Sequence, residues 1–266
     1  MIKRLLLALL VSTSAFSASA QKPALALVID DLGYSFDLAK QVLDLPGNHS
    51  FAVIPDTTYS AKIARYANQQ GHEIILHMPM QSSEDVSIEA SALNDKMTEL
   101  EITQNVINML NEVPHIKGIN NHMGSKLTQF GYIMRPVMET IRQASKNLYF
   151  LDSRTTPLST AYRQALRAGL PTVKRDVFLD FDHTNRESIS FQIDLWLKKA
   201  KQKGYAVAIA HPHPSTIDLL KNKIPQTQND YQFVTISQLL QRQTQQKPES
   251  FIWPKYLSHL HPDLKN

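Results

Sequence analysis

Short, continuously apolar runs alternate with helix-like stretches along most of this chain. Parallel βαβ units require that alternation. Residues 24–29, 50–54, 73–76, 116–119, 148–151, 177–179, 205–210 and 233–234 read as strands. Residues 37–43, 59–70, 98–111, 135–145, 158–168, 187–203 and 215–221 read as helices, and a last helix ends near Arg242. Gly71, Gly169 and Gly204 each follow a helical stretch, as C-terminal caps do. Apolar runs without polar alternation belong to strands covered on both faces. The expected fold class is therefore α/β: a distorted (β/α) barrel of seven or eight parallel strands. An open doubly wound sheet is the alternative.

The two ends stand apart from this pattern. Lys3 and Arg4 precede an apolar run over residues 5–11, and a small-residue stretch ends in Ala18-Ser19-Ala20. That order predicts a secretory signal peptide over residues 1–20, cleaved after Ala20. The run is shorter than the roughly 20 residues a membrane span needs, so no membrane anchor is expected after cleavage. The expected location is exported, in a periplasm. Residues 21–242 form the barrel domain, and residues 243–266, with Phe251 and Trp253, form a C-terminal extension.

Composition narrows the chemistry. The chain has no cysteine, which excludes a thiol nucleophile, an iron–sulfur cluster and a thiolate zinc site. Its net charge is +4 and falls to +2 once Lys3 and Arg4 leave, so nucleic acid is not an expected partner. No Gly-x-Ser-x-Gly elbow and no glycine-rich phosphate loop occur.

Parallel β/α folds build their sites at the C-terminal ends of the strands. Those ends carry Asp30-Asp31, His77, Asn120-Asn121-His122, Asp152-Ser153-Arg154, Asp180 and His211-Pro212-His213. Side chains of adjacent residues point to opposite faces of an extended strand, so Asp30 and Asp31 are expected to do different jobs, with a helix N-cap as the plainer role. His77 and His122 with one aspartate make a two-His, one-carboxylate set, suited to a zinc-like ion. His49, His72 and His115 read as ordinary edge residues, and His183 as a loop residue. The polar stretch 81–96 reads as a long loop, able to cover a substrate.

Several of these segments resemble the motifs of polysaccharide deacetylases. Ile29-Asp30-Asp31-Leu32-Gly33 resembles the family's first motif, Gly71 to His77 the segment around its first metal histidine, and Ala208 to Pro212 its last motif. Together with Asn121 to Ser125, Leu151 to Arg154 and Asp176 to Asp180, the pattern resembles the divergent polysaccharide deacetylase family over residues 24–242. The resemblance implies Asp30 as catalytic base, His211 as catalytic acid, and Asp31 and His77 as ligands of a divalent metal, Zn2+ above all. It implies a glycan substrate, such as a cell-wall polysaccharide, that loses N- or O-acetyl groups.

The pattern departs from the ordinary deacetylases at two points. Their second metal histidine follows the first by about four residues, where this chain has Gln81; His122 is the candidate replacement. Their arginine-proline motif is also absent. Asn121, Asp152, Arg154, Asp180 and His213 are candidate supporting residues; Asp152 or Asp180 is expected to orient a catalytic histidine, and Arg154 to bind a sugar hydroxyl or pair with an aspartate. A catalytically silent glycan- or peptide-binding protein, or a metal hydrolase of another amide or ester, are the competing readings.

Overall fold

The computed structural model describes residues 21–84 and 89–245. The expected signal peptide, and residues 246–266 of the expected extension, lie outside the described residues. In chain order the elements are β1 (Ala24–Leu32), α1 (Phe36–Leu43), β2 (Ser50–Val53), α2 (Ser60–Gln69), β3 (Glu73–Met80), α3 (Glu99–Glu112), β4 (Ile116–Met123), α4 (Gly131–Ala144), β5 (Tyr149–Asp152), α5 (Ala161–Arg167), β6 (Thr172–Lys174), β7 (Val177–Phe178), α6 (Arg186–Lys203), β8 (Tyr205–Ala210), α7 (Pro214–Thr227), β9 (Gln232–Phe233) and α8 (Ile236–Gln245).

Every strand pair is parallel, in the order β6-β5-β4-β3-β2-β1-β8-β7, with β9 added beside the first residues of β1. The sheet curls until its two edges are consecutive pieces of one segment. Residues 172–174 pair with β5, and residues 177–178 pair with β8. The switch falls between Arg175, whose N–H donates to the Asp152 carbonyl at 3.0 Å, and Asp176, whose N–H donates to the Val207 carbonyl at 2.8 Å. This is the distorted β/α barrel, with its seam spanned by covalent chain.

Two apolar layers follow from the two-residue period of the strands. Ala24, Ala26, Val28, Ile75, Leu151, Val173, Val207 and Ile209 fill the barrel interior. Leu25, Leu27, Ile29, Ile74, Leu76, Phe150 and Ala208 point outward under the helices. Helix ends are set locally. The Ser35 side chain accepts from Leu38 N–H to start α1, Thr98 and Glu101 form a capping box on α3, and Gly204 ends α6 at φ 82°.

Three strands outrun the apolar runs that predict them. β1 continues from Ile29 to Leu32, β3 from Leu76 to Met80, and β4 from Ile119 to Met123. The first residue added in each case is polar, and Asp30, Asp31, His77, Asn121 and His122 line a cleft at this end of the sheet, so an apolar criterion stops short there. β6 escapes the same criterion because Val173 is its one strongly apolar residue. α4 starts at Gly131 rather than Arg135, and α7 continues to Thr227. α8 runs to Gln245, three residues past Arg242. Among the described residues, no helix is long and apolar enough to cross a membrane.

Candidate metal centre and catalytic cleft

The inward-facing alternation continues beyond the apolar interior into the polar cleft. Val28 leads to Asp30, Ile75 to His77, Gly118 to Asn120 and His122, Leu151 to Ser153, Val173 to Arg175, and Ile209 to His211. With Asp31, Asn121, Met123, Thr155 and Phe178, most of these residues line a cleft of about 330 Å³ at the C-terminal ends of the strands.

Asp31 has the wrong parity for this face and reaches it through a backbone irregularity. Its φ is 61°, and the β1–β2 register shifts between Ile29 and Leu32. The expectation that the two aspartates point to opposite sides is thereby corrected, because the chain does not stay extended. A non-glycine residue in this region costs of order 1–3 kcal/mol and is kept where surrounding contacts enforce it. Met123 (φ 52°) and Arg154 (φ 48°) are similarly placed at the ends of β4 and β5.

Three ligand-type atoms meet in this cleft. Asp31 Oδ1 lies 3.0 Å from His77 Nε2 and 3.0 Å from His122 Nδ1, and the two nitrogens are 3.2 Å apart. The edge of a tetrahedron around zinc is roughly 3.3 Å, given Zn–N bonds of about 2.0–2.1 Å. Neighbouring bonds set the His77 tautomer. His77 Nδ1–H donates to Asn120 Oδ1 at 2.8 Å, which leaves the Nε2 lone pair facing Asp31. Two imidazole nitrogens and one carboxylate oxygen therefore fit a divalent cation with positions left open.

The same asparagine fixes the neighbouring acid. Asn120 Nδ2–H donates to Asp30 Oδ1 at 2.9 Å and Oδ2 at 3.1 Å. Burial raises the Asp30 pKa, against the opposing pull of His77 and His211. Asp31 behaves oppositely. Burial pushes it up, but the neighbouring His122, His77 and His211 rings outweigh burial and hold it well below the usual carboxylate range.

His211 closes the other side of the cleft. Its Nδ1–H donates to Asp180 Oδ1 at 3.0 Å, its backbone N–H donates to Asp180 Oδ2 at 2.8 Å, and Nε2 faces Asp31 Oδ2 at 3.8 Å. Burial lowers its pKa, but the Asp180 bond and the aspartates in the cleft more than offset that and raise it to about 9. Phe178 packs against the ring at 5.2 Å between centroids.

Comparison with known proteins gives this constellation a family. The sequence profile described as divergent polysaccharide deacetylase matches residues 27–240. The chain belongs to that family. It is 38% identical to the uncharacterised protein YibQ of Escherichia coli strain K12 over 226 residues, 85% of this chain and 70% of that one. It is 34% identical to an uncharacterised protein of Haemophilus influenzae over 236 residues, 89% of this chain and 83% of that one. The solved structure of an uncharacterised Agrobacterium tumefaciens C58 protein shares the fold, with a TM-score of 0.77 over 84% of this chain and 91% of that one, at 20% identity.

In this member of the family, the cleft gathers Asp30, Asp31, His77, Asn121, His122 and His211. Asn121 braces it, its Oδ1 accepting from Ser153 N–H at 2.9 Å and its Nδ2–H donating to the Met123 carbonyl at 2.7 Å. Of the two aspartates weighed as orienting groups, Asp180 holds His211. Asp152 instead accepts from Arg154 N–H, Ser159 Oγ–H and Tyr162 N–H in the turn leading to α5. The Arg154 side chain lines a separate surface hollow with Pro157, Arg175 and Asp176. His213 occupies the N-cap position of α7 without a side-chain capping bond and stacks on His183 at 4.0 Å, outside the cleft lining. Asp180, His211 and His213 bring ligand atoms within 4.8 Å of one another, but the Asp180 carboxylate already accepts three donors, Thr216 included.

Residue-level reading of the sequence placed Asn120 at a strand end without giving it a role, and missed Arg175 and Glu89. Parity was the available signal for two of them: Asn120 lies two residues before His122, and Arg175 two after the interior Val173. Arg175 donates from Nη2 to the Arg154 carbonyl at 2.7 Å and from Nε to the Ser153 carbonyl, so its fork lies against the cleft wall. No local signal marks Glu89, which arrives on the long loop.

Proposed function

We propose that this protein is an exported, metal-dependent deacylase that removes acetyl groups from a glycan. The observation that carries the reading is the Asp31–His77–His122 triangle, with sides of 3.0, 3.0 and 3.2 Å, set between Asp30 and His211. Asp31, His77 and His122 would hold the ion, most readily Zn2+. When bound there, a divalent ion polarises the acyl carbonyl and makes water a stronger acid.

The remaining steps belong to the chain itself. Asp30 takes the proton of the attacking water. Its raised pKa favours that gain, and the Asn120 amide keeps its carboxylate in one orientation. His211 carries the proton that the leaving amine or hydroxyl needs when the acyl bond breaks. Asp180 aims the ring and favours its protonated form, whose pKa stands at about 9 in the ion-free cleft. Acetate leaves with the water oxygen, and the sugar keeps a free amine or hydroxyl. Residues 1–20 support delivery to a periplasm, where cell-wall polysaccharide is an acetylated substrate of this class.

The test is acetate release from a panel of N- and O-acetylated glycans and small amides and esters, using the mature protein with and without added Zn2+. Metal content is measured in parallel for the wild type and His122→Ala. Stoichiometric zinc lost in His122→Ala, with metal-dependent acetate release, supports the reading. A protein that binds zinc but turns over nothing in the panel is a glycan-binding relative that lost turnover. No zinc binding at all overturns the mechanism.

A further inference from the structure

Glu89 stands on the long loop between β3 and α3, yet its carboxylate reaches the metal centre. Oε2 lies 3.7 Å from His122 Nε2, and it is buried without a hydrogen-bond partner. Oε1 accepts from the Tyr34 hydroxyl, just beyond the end of β1. The loop returns beside β3, where Leu93 N–H donates to the Pro79 carbonyl at 3.0 Å and Gln81 N–H to the Leu93 carbonyl at 2.9 Å. The Lys126–Asp95 ion pair at 2.8 Å ties it to the segment after β4. Glu89 is therefore held from β1 by Tyr34 and from β3 and β4 by its own loop.

The His122 ring poses a matching question. Its Nδ1 faces Asp31 and His77, so a metal there requires the lone pair on Nδ1 and the proton on Nε2. That N–H needs an acceptor, and the unpartnered Glu89 oxygen is the carboxylate facing it. We infer that Glu89 is a positioning residue for the metal centre, accepting from His122 Nε2–H so that Nδ1 is presented to the ion, with Tyr34 holding Glu89 in place. Carboxylate–histidine–metal relays of this kind fix tautomer and ring orientation, and losing the outer partner typically costs 10–100-fold in metal affinity. This inference rests on the metal-centre reading above and gives the loop a role at the site besides covering substrate.

The experiment measures Zn2+ affinity by competition with a chromophoric chelator in the mature wild type, Glu89→Gln, Glu89→Ala and Tyr34→Phe. The 15N shifts of His122 are recorded with and without zinc. The expected order of affinity is wild type, then Glu89→Gln, then Glu89→Ala, with Glu89→Ala weaker by about tenfold or more. Tyr34→Phe falls between wild type and Glu89→Ala. In the wild type with zinc, His122 carries its proton on Nε2, and in Glu89→Ala that signature weakens. A mere packing role for Glu89 would lower the melting temperature of the metal-free protein without changing the tautomer. Wild-type protein that binds zinc while Glu89→Ala binds it equally well, or coordination of zinc through His122 Nε2, overturns this inference and leaves the metal centre standing. Wild-type protein that binds no zinc overturns the metal centre itself.

Discussion

Asp30 and Asp31 are chain neighbours with opposite ionisation preferences, and the difference is environmental. Asp30 is buried and bonded to one neutral amide, while Asp31 is a third exposed and flanked by two imidazoles. Asp30→Asn is expected to keep zinc binding and lose about 10²–10⁴-fold in kcat, read by acetate release alongside metal titration. Asp180→Asn removes the charged partner of His211. Its pKa is then expected to fall from about 9 towards the ordinary histidine value, followed by NMR titration of the metal-free protein. His49 offers a stability test away from the cleft. Burial lowers its pKa to about 4, and its ring donates to the Pro46 carbonyl at 2.8 Å. Between its ordinary value of 6.5 and about 4, the unfolded chain binds the proton more readily. The contribution is therefore full above the ordinary value and lost as pH falls, about 3 kcal/mol in all. His49→Phe should flatten that part of the stability curve, read by urea unfolding at pH 7 and 5.

At the scale of elements, strand parity decides who enters the cleft, and packing under the cleft decides whether the strands can stay in register. Tyr149 fills the barrel interior with its hydroxyl donating to Glu73 Oε1 at 2.7 Å, and Ser50 donates to the same carboxylate oxygen at 2.7 Å. Ser237 N–H at the start of α8 also donates to it, at 3.3 Å. Gly118 on β4 makes room for that ring, since a Cβ there would sit 2.3 Å from Tyr149. Gly118→Ala should therefore destabilise by about 1–3 kcal/mol through overpacking, measured by denaturant unfolding. Because β4 also carries Asn120 and His122, the same variant should weaken zinc binding. A variant at Gly71, where a Cβ meets nothing within 4 Å, pays only for its left-handed backbone and should leave zinc binding unchanged.

For the whole molecule, the proposed ion joins side chains from β1, β3 and β4, and the loop after β3 closes over them through Glu89. Ligands drawn from separated parts of the chain converge only in the folded state, so metal binding and folding are linked. Zinc at a hundredfold excess over its dissociation constant should add about 2.7 kcal/mol, or roughly 5–10 °C in melting temperature. Calorimetry with zinc and after chelation checks this, and His122→Ala should lose most of the shift. A wild-type melting temperature indifferent to zinc would argue against a site of this affinity.

The sequence by itself determined the alternation of strands and helices, and with it the rim where polar residues gather. It did so because burial on both strand faces leaves an apolar signature that a single chain displays locally. Asp30, His77 and His211 were legible for the same reason, each being a polar residue that terminates an apolar run, and His122 follows its strand across two asparagines. The tertiary structure decided what depends on contacts between distant segments. It turned Asp31 into the cleft by a left-handed backbone, and gave His211 to Asp180 while Asp152 went to a turn. It set Arg175 rather than Arg154 on the cleft wall, and carried Glu89 to His122 across 33 residues of chain. Backbone irregularity and the return of a long loop are fixed by packing and hydrogen bonds from elsewhere in the fold, and neither leaves a periodic mark in the local sequence.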